Sequence, residues 1–124
     1  MNRDFRQPSI GIDIIKISRI EYMIRKYGKR FLDRIFSTSE QTYCSSKFMP
    51  FNSFAARWAA KEALIKAIGK GNYSYKDIEI YVDKDGAPFF NFNSDSLIVK
   101  VKGKNISLSV SHDGDYAIAN VFVS

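Results

Sequence analysis

The segment from Asn52 to Lys70 most constrains the fold of this chain, because its residues predict one long and thin helix. Alanine, leucine, lysine and glutamate fill its interior, and all four favour helices. A side-chain oxygen at Asn52 or Ser53 is expected to cap the first turn, and Gly69 suits the left-handed position after the last turn. Six alanines should let neighbouring elements approach the helix backbone closely: Ala55, Ala56, Ala59, Ala60, Ala63 and Ala67.

Trp58, Glu62 and Lys66 are spaced four residues apart on this helix and therefore share one stripe. A carboxylate and an ammonium group beside an indole are groups that a functional site would need. The simpler alternative is a solvated Glu62–Lys66 pair in the favourable order, which contributes only about 0.2–0.5 kcal/mol. The helix alone does not decide between these two interpretations.

The composition and charge limit the classes of protein to which the chain can belong. Its 124 residues, of which 45% are hydrophobic and 15% aromatic, predict one packed domain that spans residues 1–124. The net charge of +6 predicts an anionic partner: a nucleic acid, a phosphorylated small molecule or an acidic protein. We expect no nucleic acid, because the basic residues are dispersed and no RNP-like, zinc-finger or GxxG motif is present.

Cysteine and histidine each occur once. The single Cys44 excludes an internal disulfide and a CxxC metal site. Because the start MNRDFRQPSI is also polar and no apolar run could span a membrane, we expect a cytoplasmic protein without a membrane contact. Cys44 could be a nucleophile, although an unreactive cysteine is the simpler interpretation. His112 lies at a predicted strand end beside a turn, where it could be a polar residue without a role.

The first predicted strand, Ile10 to Ile17, carries Asp13 near its centre. Aspartate is disfavoured in strands, and a buried carboxylate needs a partner. Asp13 could therefore belong to a site, or it could be an edge-strand charge that discourages aggregation.

Two capping boxes predict helix starts between this strand and the central helix. Ser18-x-x-Glu21 opens a helix that ends at Gly28, and Ser37-x-x-Glu40 opens another. In the second half of the chain the hydrophobic period becomes alternating, which predicts strands, although the segment 97–101 is ambiguous between strand and helix. Because helices precede most strands, we predict an α+β fold in which the opening strand joins a mainly antiparallel sheet.

Three segments in a fixed order carry a resemblance to a known family. They are GIDI at 11–14 with RIE at 19–21, FAARWAAKEA at 54–63 with KA at 66–67, and VSH at 110–112 with YA at 116–117. The similarity extends from about Ser9 to Val123 and includes KRF at 29–31 and Pro88. On these residues the chain resembles the holo-acyl-carrier-protein synthases, which are 4′-phosphopantetheinyl transferases.

The resemblance implies a fold, a reaction and an assembly. The family moves 4′-phosphopantetheine from coenzyme A to a serine of apo acyl carrier protein, releases adenosine 3′,5′-bisphosphate, needs Mg²⁺ and serves fatty acid biosynthesis. Its members form homotrimers with sites between subunits. The 4′-phosphopantetheinyl transferase-like fold packs an N-terminal strand and helices on a mainly antiparallel sheet.

The resemblance also implies roles for particular residues. Asp13 and Glu62 match the metal ligands, and together with Lys66 they match the catalytic residues. The expected coenzyme A contacts are Arg57, Lys66, Pro88 and His112, and the expected carrier-protein contacts are Arg19, Met23, Arg30 and Phe31.

One departure concerns the metal shell, and one choice stays open. Larger, monomeric transferases that resemble this family carry an acidic residue two positions after the aspartate, where this chain has Ile15, so we expect water in place of a third carboxylate. The base that activates the serine could be Glu62 or a water that it positions. Two other functions compete with that of an active transferase. One is a non-catalytic basic module for RNA or an acidic protein, and the other is a degenerate subunit that binds coenzyme A without transfer.

Overall fold

The computed structural model describes residues 8–124, and the polar start of the chain at residues 1–7 lies outside the described residues. Helices dominate the first half of this part and strands the second half. The elements are β1 (Ser9–Lys16), α1 (Ile17–Tyr27), α2 (Lys29–Ile35), α3 (Thr38–Ser45), α4 (Pro50–Ile68), a 3₁₀ turn (Tyr75–Asp77), β2 (Ile78–Val82), β3 (Pro88–Phe92), α5 (Asp95–Val101), β4 (Ile106–Asp113) and β5 (Tyr116–Val123).

The strands fall into two antiparallel sheets rather than the one that the sequence suggested. β1, β5 and β4 form a three-stranded sheet in the order β1-β5-β4, whereas β2 and β3 form a separate hairpin. The hairpin turns at Asp85-Gly86 as predicted, with Gly86 at a φ of 84°. The predicted α+β class is confirmed, β1 joins the sheet as expected, and the ambiguous segment 97–101 is helical.

The packing of β1 on α4 depends on one glycine. A Cβ atom added to Gly11 would lie 1.8 Å from the carbonyl oxygen of Ala63, so the strand backbone rests directly on the helix backbone. The alanines of α4 permit this approach, and Ala55, Ala59, Ala60, Ala63 and Ala67 are all fully buried. The predicted thin helix is therefore the central element of the core, which Ile68, Leu97, Val121 and other apolar residues complete.

A buried ion pair joins α3, α4 and β2. The Nζ atom of Lys61, which is fully buried, donates to Glu40 Oε1 at 2.7 Å and to the carbonyl oxygens of Tyr75 and Ile78 at 2.9 and 2.5 Å. Glu40 Oε2 accepts from the backbone N–H of Ile80 at 3.1 Å. Burial lowers the pKa of Lys61, and the neighbouring Glu40 carboxylate acts in the opposite direction. The network fixes the chain that follows α4 against the helix.

Two predicted helix starts were wrong. α1 begins at Ile17 without a side-chain cap of its own, and Ser18 instead donates its backbone N–H and hydroxyl to the carboxylate of Asp115 at 2.9 and 2.6 Å. The cap thus comes from the turn between β4 and β5. α4 begins at Pro50, because proline suits the first helical turn, where its missing N–H costs no hydrogen bond. The box at Ser37 is confirmed.

Gly11→Ala should destabilise the protein by about 3 kcal/mol, because the added methyl group meets backbone that cannot move without separating β1 from α4. Gly71→Ala is the matched control, since its added methyl group meets the side chain of Tyr73, which can shift. Urea unfolding of both variants measures the difference. Equal stabilities would contradict the packing described for β1 and α4.

Candidate active site

Asp13 and Glu62 line one cavity of about 290 Å³ between β1, α1 and α4. Asp13 reaches it because alternate residues of β1 face α4, and Glu62 reaches it from the stripe of α4 predicted above. Arg19, Trp58 and Ile15 also line this space. Ile15 brings an apolar side chain to the lining of this cavity.

Lys66 forms an ion pair with Asp13. Its Nζ atom donates to Asp13 Oδ1 at 2.9 Å and to the carbonyl oxygen of Ile12 at 3.0 Å. The side chain of Asp13 is 16% exposed and that of Lys66 is 54% exposed, so the pair sits at the edge of the cavity. β1 is an edge strand of its sheet, as the alternative interpretation of Asp13 requires, but Asp13 faces α4 and is paired with Lys66.

Two aromatic donors converge on Glu62. The indole N–H of Trp58 donates to Glu62 Oε1 at 3.2 Å, and the hydroxyl of Tyr75 donates to the same oxygen. Burial and the Glu62 carboxylate raise the pKa of Tyr75 to about 12, so its hydroxyl stays protonated at neutral pH. The sequence did not indicate Tyr75, because it follows Glu62 by 13 residues across a loop and no pattern marks it.

Arg57 and His112 lie in a different cavity of about 710 Å³, together with Phe48 and Ser111. Arg57 is 6% exposed, its guanidinium lies 4.3 Å from the centre of the Tyr43 ring, and its Nε atom has no hydrogen-bond partner in the described part of the chain. The structure therefore unites these two predicted nucleotide contacts.

Pro88 is not in this group. It begins β3 in the separate hairpin and lines neither the cavity of Arg57 nor that of Glu62.

Three of the four predicted carrier contacts line a groove of about 640 Å³ beside α1 and α2, which also includes Tyr27. Met23 and Arg30 are accessible there, whereas Phe31 is only 7% exposed and packs on Trp58 with ring centres 5.2 Å apart. Arg19, the fourth residue, lines the cavity of Asp13 and Glu62 instead. Arg19 lies four residues before Met23 on the same side of α1. The cavity of Asp13 and Glu62 and the groove beside α2 are therefore neighbours along this helix.

Cys44 is fully buried, and burial raises the pKa of its thiol to about 11. Since the thiolate is the reactive form, the burial of Cys44 and the raised pKa of its thiol favour the unreactive cysteine over the nucleophile. Among residues 8–124, no group of three or more histidine, cysteine, aspartate and glutamate side chains comes together as a metal cluster. Asp13 and Glu62 are the carboxylates that line the cavity, and they could hold a metal ion together with other oxygen ligands.

Comparison with known proteins identifies the family. The family model of the 4′-phosphopantetheinyl transferase superfamily matches residues 9–121. The holo-[acyl-carrier-protein] synthase of Halothermothrix orenii is 40% identical over 116 residues, which cover 90% of this chain and 93% of the relative. The chain belongs to the holo-acyl-carrier-protein synthase family.

Solved structures of the family agree with the fold. The crystal structure of the synthase from Neisseria meningitidis matches with a TM-score of 0.83 at 34% identity and covers 94% of this chain and 97% of that one. The synthase of Helicobacter pylori, solved in complex with coenzyme A, matches with a TM-score of 0.80 at 36% identity, covering 93% and 99%. The fold predicted from the resemblance is confirmed.

Membership of this family decides between the classes considered from the sequence. The chain is an enzyme of the phosphopantetheinyl transferase type rather than a non-catalytic basic module. Within residues 8–124, no helix is long and apolar enough to cross a membrane.

Proposed function

We propose that this chain transfers 4′-phosphopantetheine from coenzyme A to a serine of an apo acyl carrier protein and releases adenosine 3′,5′-bisphosphate. The observation that carries this proposal is the cavity shared by Asp13 and Glu62, with Lys66 paired at its edge, in a chain of the synthase family. We further propose that the enzyme is one domain over residues 1–124, works in the cytoplasm and serves fatty acid biosynthesis.

The donor set of the cavity fits Mg²⁺. Its ionisable ligands are two carboxylates, and neither histidine nor cysteine lines the cavity. Mg²⁺ prefers oxygen ligands and binds through one or two carboxylates, waters and substrate phosphate oxygens. Asp13 and Glu62 would hold it. The bound ion would supply stabilisation of the negative charge that develops on the phosphate oxygens.

The side chains around this position suit the remaining steps. The serine hydroxyl of the carrier attacks the phosphorus atom that bears the pantetheine arm, and its proton passes to Glu62 or to a water that Glu62 holds. The bond to the adenosine bisphosphate breaks, and the ammonium group of Lys66 stabilises the negative charge on the leaving phosphate. Lys66 is suited to this role, because its side chain is 54% exposed beside Asp13.

Coenzyme A binding is assigned to Arg57, His112 and Lys66, whereas Pro88, which lines neither cavity, is assigned on the family resemblance alone. The buried guanidinium of Arg57, whose Nε atom has no hydrogen-bond partner within residues 8–124, can meet a phosphate near His112. The coenzyme A complex of the Helicobacter pylori synthase, 36% identical to this chain, supports coenzyme A as the substrate.

A second copy of the chain would join the two cavities. Arg57 and His112 do not share a cavity with Asp13 and Glu62 within one chain. The face of the three-stranded sheet opposite α4 is apolar and open: Ile10, Ile12, Ile14, Tyr116 and Phe122 are 42–65% exposed. An apolar sheet face of this kind is typical of a subunit interface. On the pattern that the family resemblance implies, we propose that the subunits form a homotrimer in which neighbours contribute to each site.

The carrier protein is assigned to the groove beside α1 and α2 and to Arg19 at the neighbouring cavity. Acyl carrier proteins are generally acidic, and Arg19, Arg30 and Arg34 are exposed along this route. Charge complementarity of this kind accelerates encounter and weakens with salt. Met23 and the exposed part of Phe31 would supply the apolar contacts.

Incubation of the protein with coenzyme A, Mg²⁺ and a purified apo acyl carrier protein tests the proposed reaction. Intact-mass spectrometry should show the carrier gaining one phosphopantetheine arm, and chromatography should show adenosine 3′,5′-bisphosphate in equal amount. An unchanged carrier mass over a panel of apo carriers would contradict the proposal, and the same panel would reveal which carriers are accepted.

Asp13→Ala, Glu62→Ala and Glu62→Gln should each lower kcat roughly 100-fold or more, because each removes a charged ligand from the cavity. Glu21→Gln is the matched control, since Glu21 is an exposed carboxylate that pairs with Arg25 on α1. Transfer rates at saturating Mg²⁺ and melting temperatures should be measured together. A folded Asp13→Ala enzyme with normal activity would remove Asp13 from the metal site.

Sedimentation equilibrium at micromolar concentration should give three times the 14.2 kDa mass of the chain. Ile12→Lys should shift the protein toward the monomer, because it places a charge on the open apolar face, where Ile12 is 53% exposed. Val99→Lys on α5, at a position 71% exposed outside that face, should leave the assembly unchanged. A wild-type protein that sediments only as a monomer would contradict the trimer.

Arg30→Glu should raise the KM for the carrier protein several-fold, leave the KM for coenzyme A unchanged and flatten the salt dependence of the rate. Arg30 is a cleaner probe than Arg19, because Arg19 also lines the cavity of the two carboxylates. Lys84→Glu in the β2–β3 turn makes the same charge change at a distance. Equal effects on both KM values, or none, would move the carrier site elsewhere.

A further inference from the structure

Two aromatic side chains donate hydrogen bonds to the same oxygen of Glu62, which lines the cavity shared with Asp13. Trp58 Nε1 and the hydroxyl of Tyr75 both donate to Glu62 Oε1. Within residues 8–124, no other hydrogen bond reaches the Glu62 carboxylate. One oxygen of this carboxylate is therefore held by the protein, and Oε2 remains available for an external ligand.

Both donors are themselves fixed. The rings of Trp58 and Tyr75 pack edge to face with centres 6.4 Å apart, and Trp58 also packs on the buried ring of Phe31. The backbone of Tyr75 is anchored independently, because its carbonyl oxygen accepts from the buried ammonium group of Lys61 at 2.9 Å. Lys61 is in turn paired with Glu40. Contacts with α4 and, through Lys61, with Glu40 of α3 therefore hold the ring and backbone of Tyr75 in place.

We propose that Tyr75 and Trp58 are positioning residues that clamp Oε1 of Glu62 and so present Oε2 to the metal ion. This inference rests on the metal site in the function proposed above. A carboxylate on a free side chain samples several rotamers, and holding one of them reduces the ordering that metal binding requires. Partners that orient metal ligands in this way change metal affinity by about 10–100-fold in known sites.

The test uses variants that remove a donor and keep an aromatic ring at the same position. Tyr75→Phe removes the hydroxyl, and Trp58→Phe removes the indole N–H. Tyr73→Phe is the matched control, because the Tyr73 hydroxyl is a partly buried donor in the same loop that bonds to the carbonyl oxygen of Gly69 and not to Glu62. Mn²⁺ replaces Mg²⁺ as the probe, and electron paramagnetic resonance measures its binding to the purified enzyme with coenzyme A present.

Tyr75→Phe and Trp58→Phe should each weaken Mn²⁺ binding about 10-fold and raise the half-saturating Mg²⁺ concentration in the transfer assay by a similar factor. The double variant should bind Mn²⁺ more weakly than either single variant. In all three variants, kcat at saturating Mg²⁺ should fall by a much smaller factor than the metal affinity. Tyr73→Phe should match the wild type. The sole tryptophan, Trp58, gives a second readout, since its emission on metal addition should differ between wild type and Tyr75→Phe.

Wild-type Mn²⁺ affinity in Tyr75→Phe, with the wild type itself binding metal and transferring the arm, would overturn this inference and leave the proposed function intact. A loss of melting temperature and kcat at unchanged metal affinity would also overturn it, because that pattern indicates a structural role only. Equal Mn²⁺ affinity of the wild-type enzyme and the Glu62→Gln variant would overturn the proposed metal site and, with it, this inference.

Discussion

The contact between the backbone of β1 and the backbone of α4 is the constraint on which the rest of the structure depends. Gly11 and the buried alanines let the strand lie against the helix without side chains between them, since an added Cβ would meet Ala63 at 1.8 Å. Two residues further along β1, Asp13 then comes within 2.9 Å of Lys66 and shares a cavity with Glu62. Gly11 and the alanines of α4 are therefore needed both for the packing of β1 on α4 and for the placement of Asp13 beside Glu62.

The parts of the fold that local patterns encode could be predicted from the sequence. The alanine-rich helix, the alternating strands and the box at Ser37 follow from short-range rules, and the stripe of Trp58, Glu62 and Lys66 follows from helical spacing. The interactions that were missed join distant segments. Asp115 caps α1 from the other end of the chain, and Tyr75 reaches Glu62 only after a loop folds back. The hydrophobic periodicity of a sequence does not indicate contacts between distant segments.

The separation of the candidate residues into different cavities has a physical consequence. Asp13 and Glu62 line one cavity between β1, α1 and α4, whereas Arg57 and His112 line a second space beside the loop that carries Phe48. The face of the sheet opposite α4 exposes Ile10, Ile12 and Ile14, and this is the surface assigned to the proposed subunit interface. A chain this small can complete both its apolar burial and its site by assembling with copies of itself.

Subunit complementation tests this account most directly. Glu62→Gln and Arg57→Ala subunits, each expected to be inactive alone, should be co-expressed with different tags, and the mixed oligomers purified through both. The account predicts that the mixed oligomers regain phosphopantetheine transfer, because an intact Glu62 of one subunit can face an intact Arg57 of another. Mixed oligomers of verified composition that remain as inactive as the separate variants would contradict a site completed between copies.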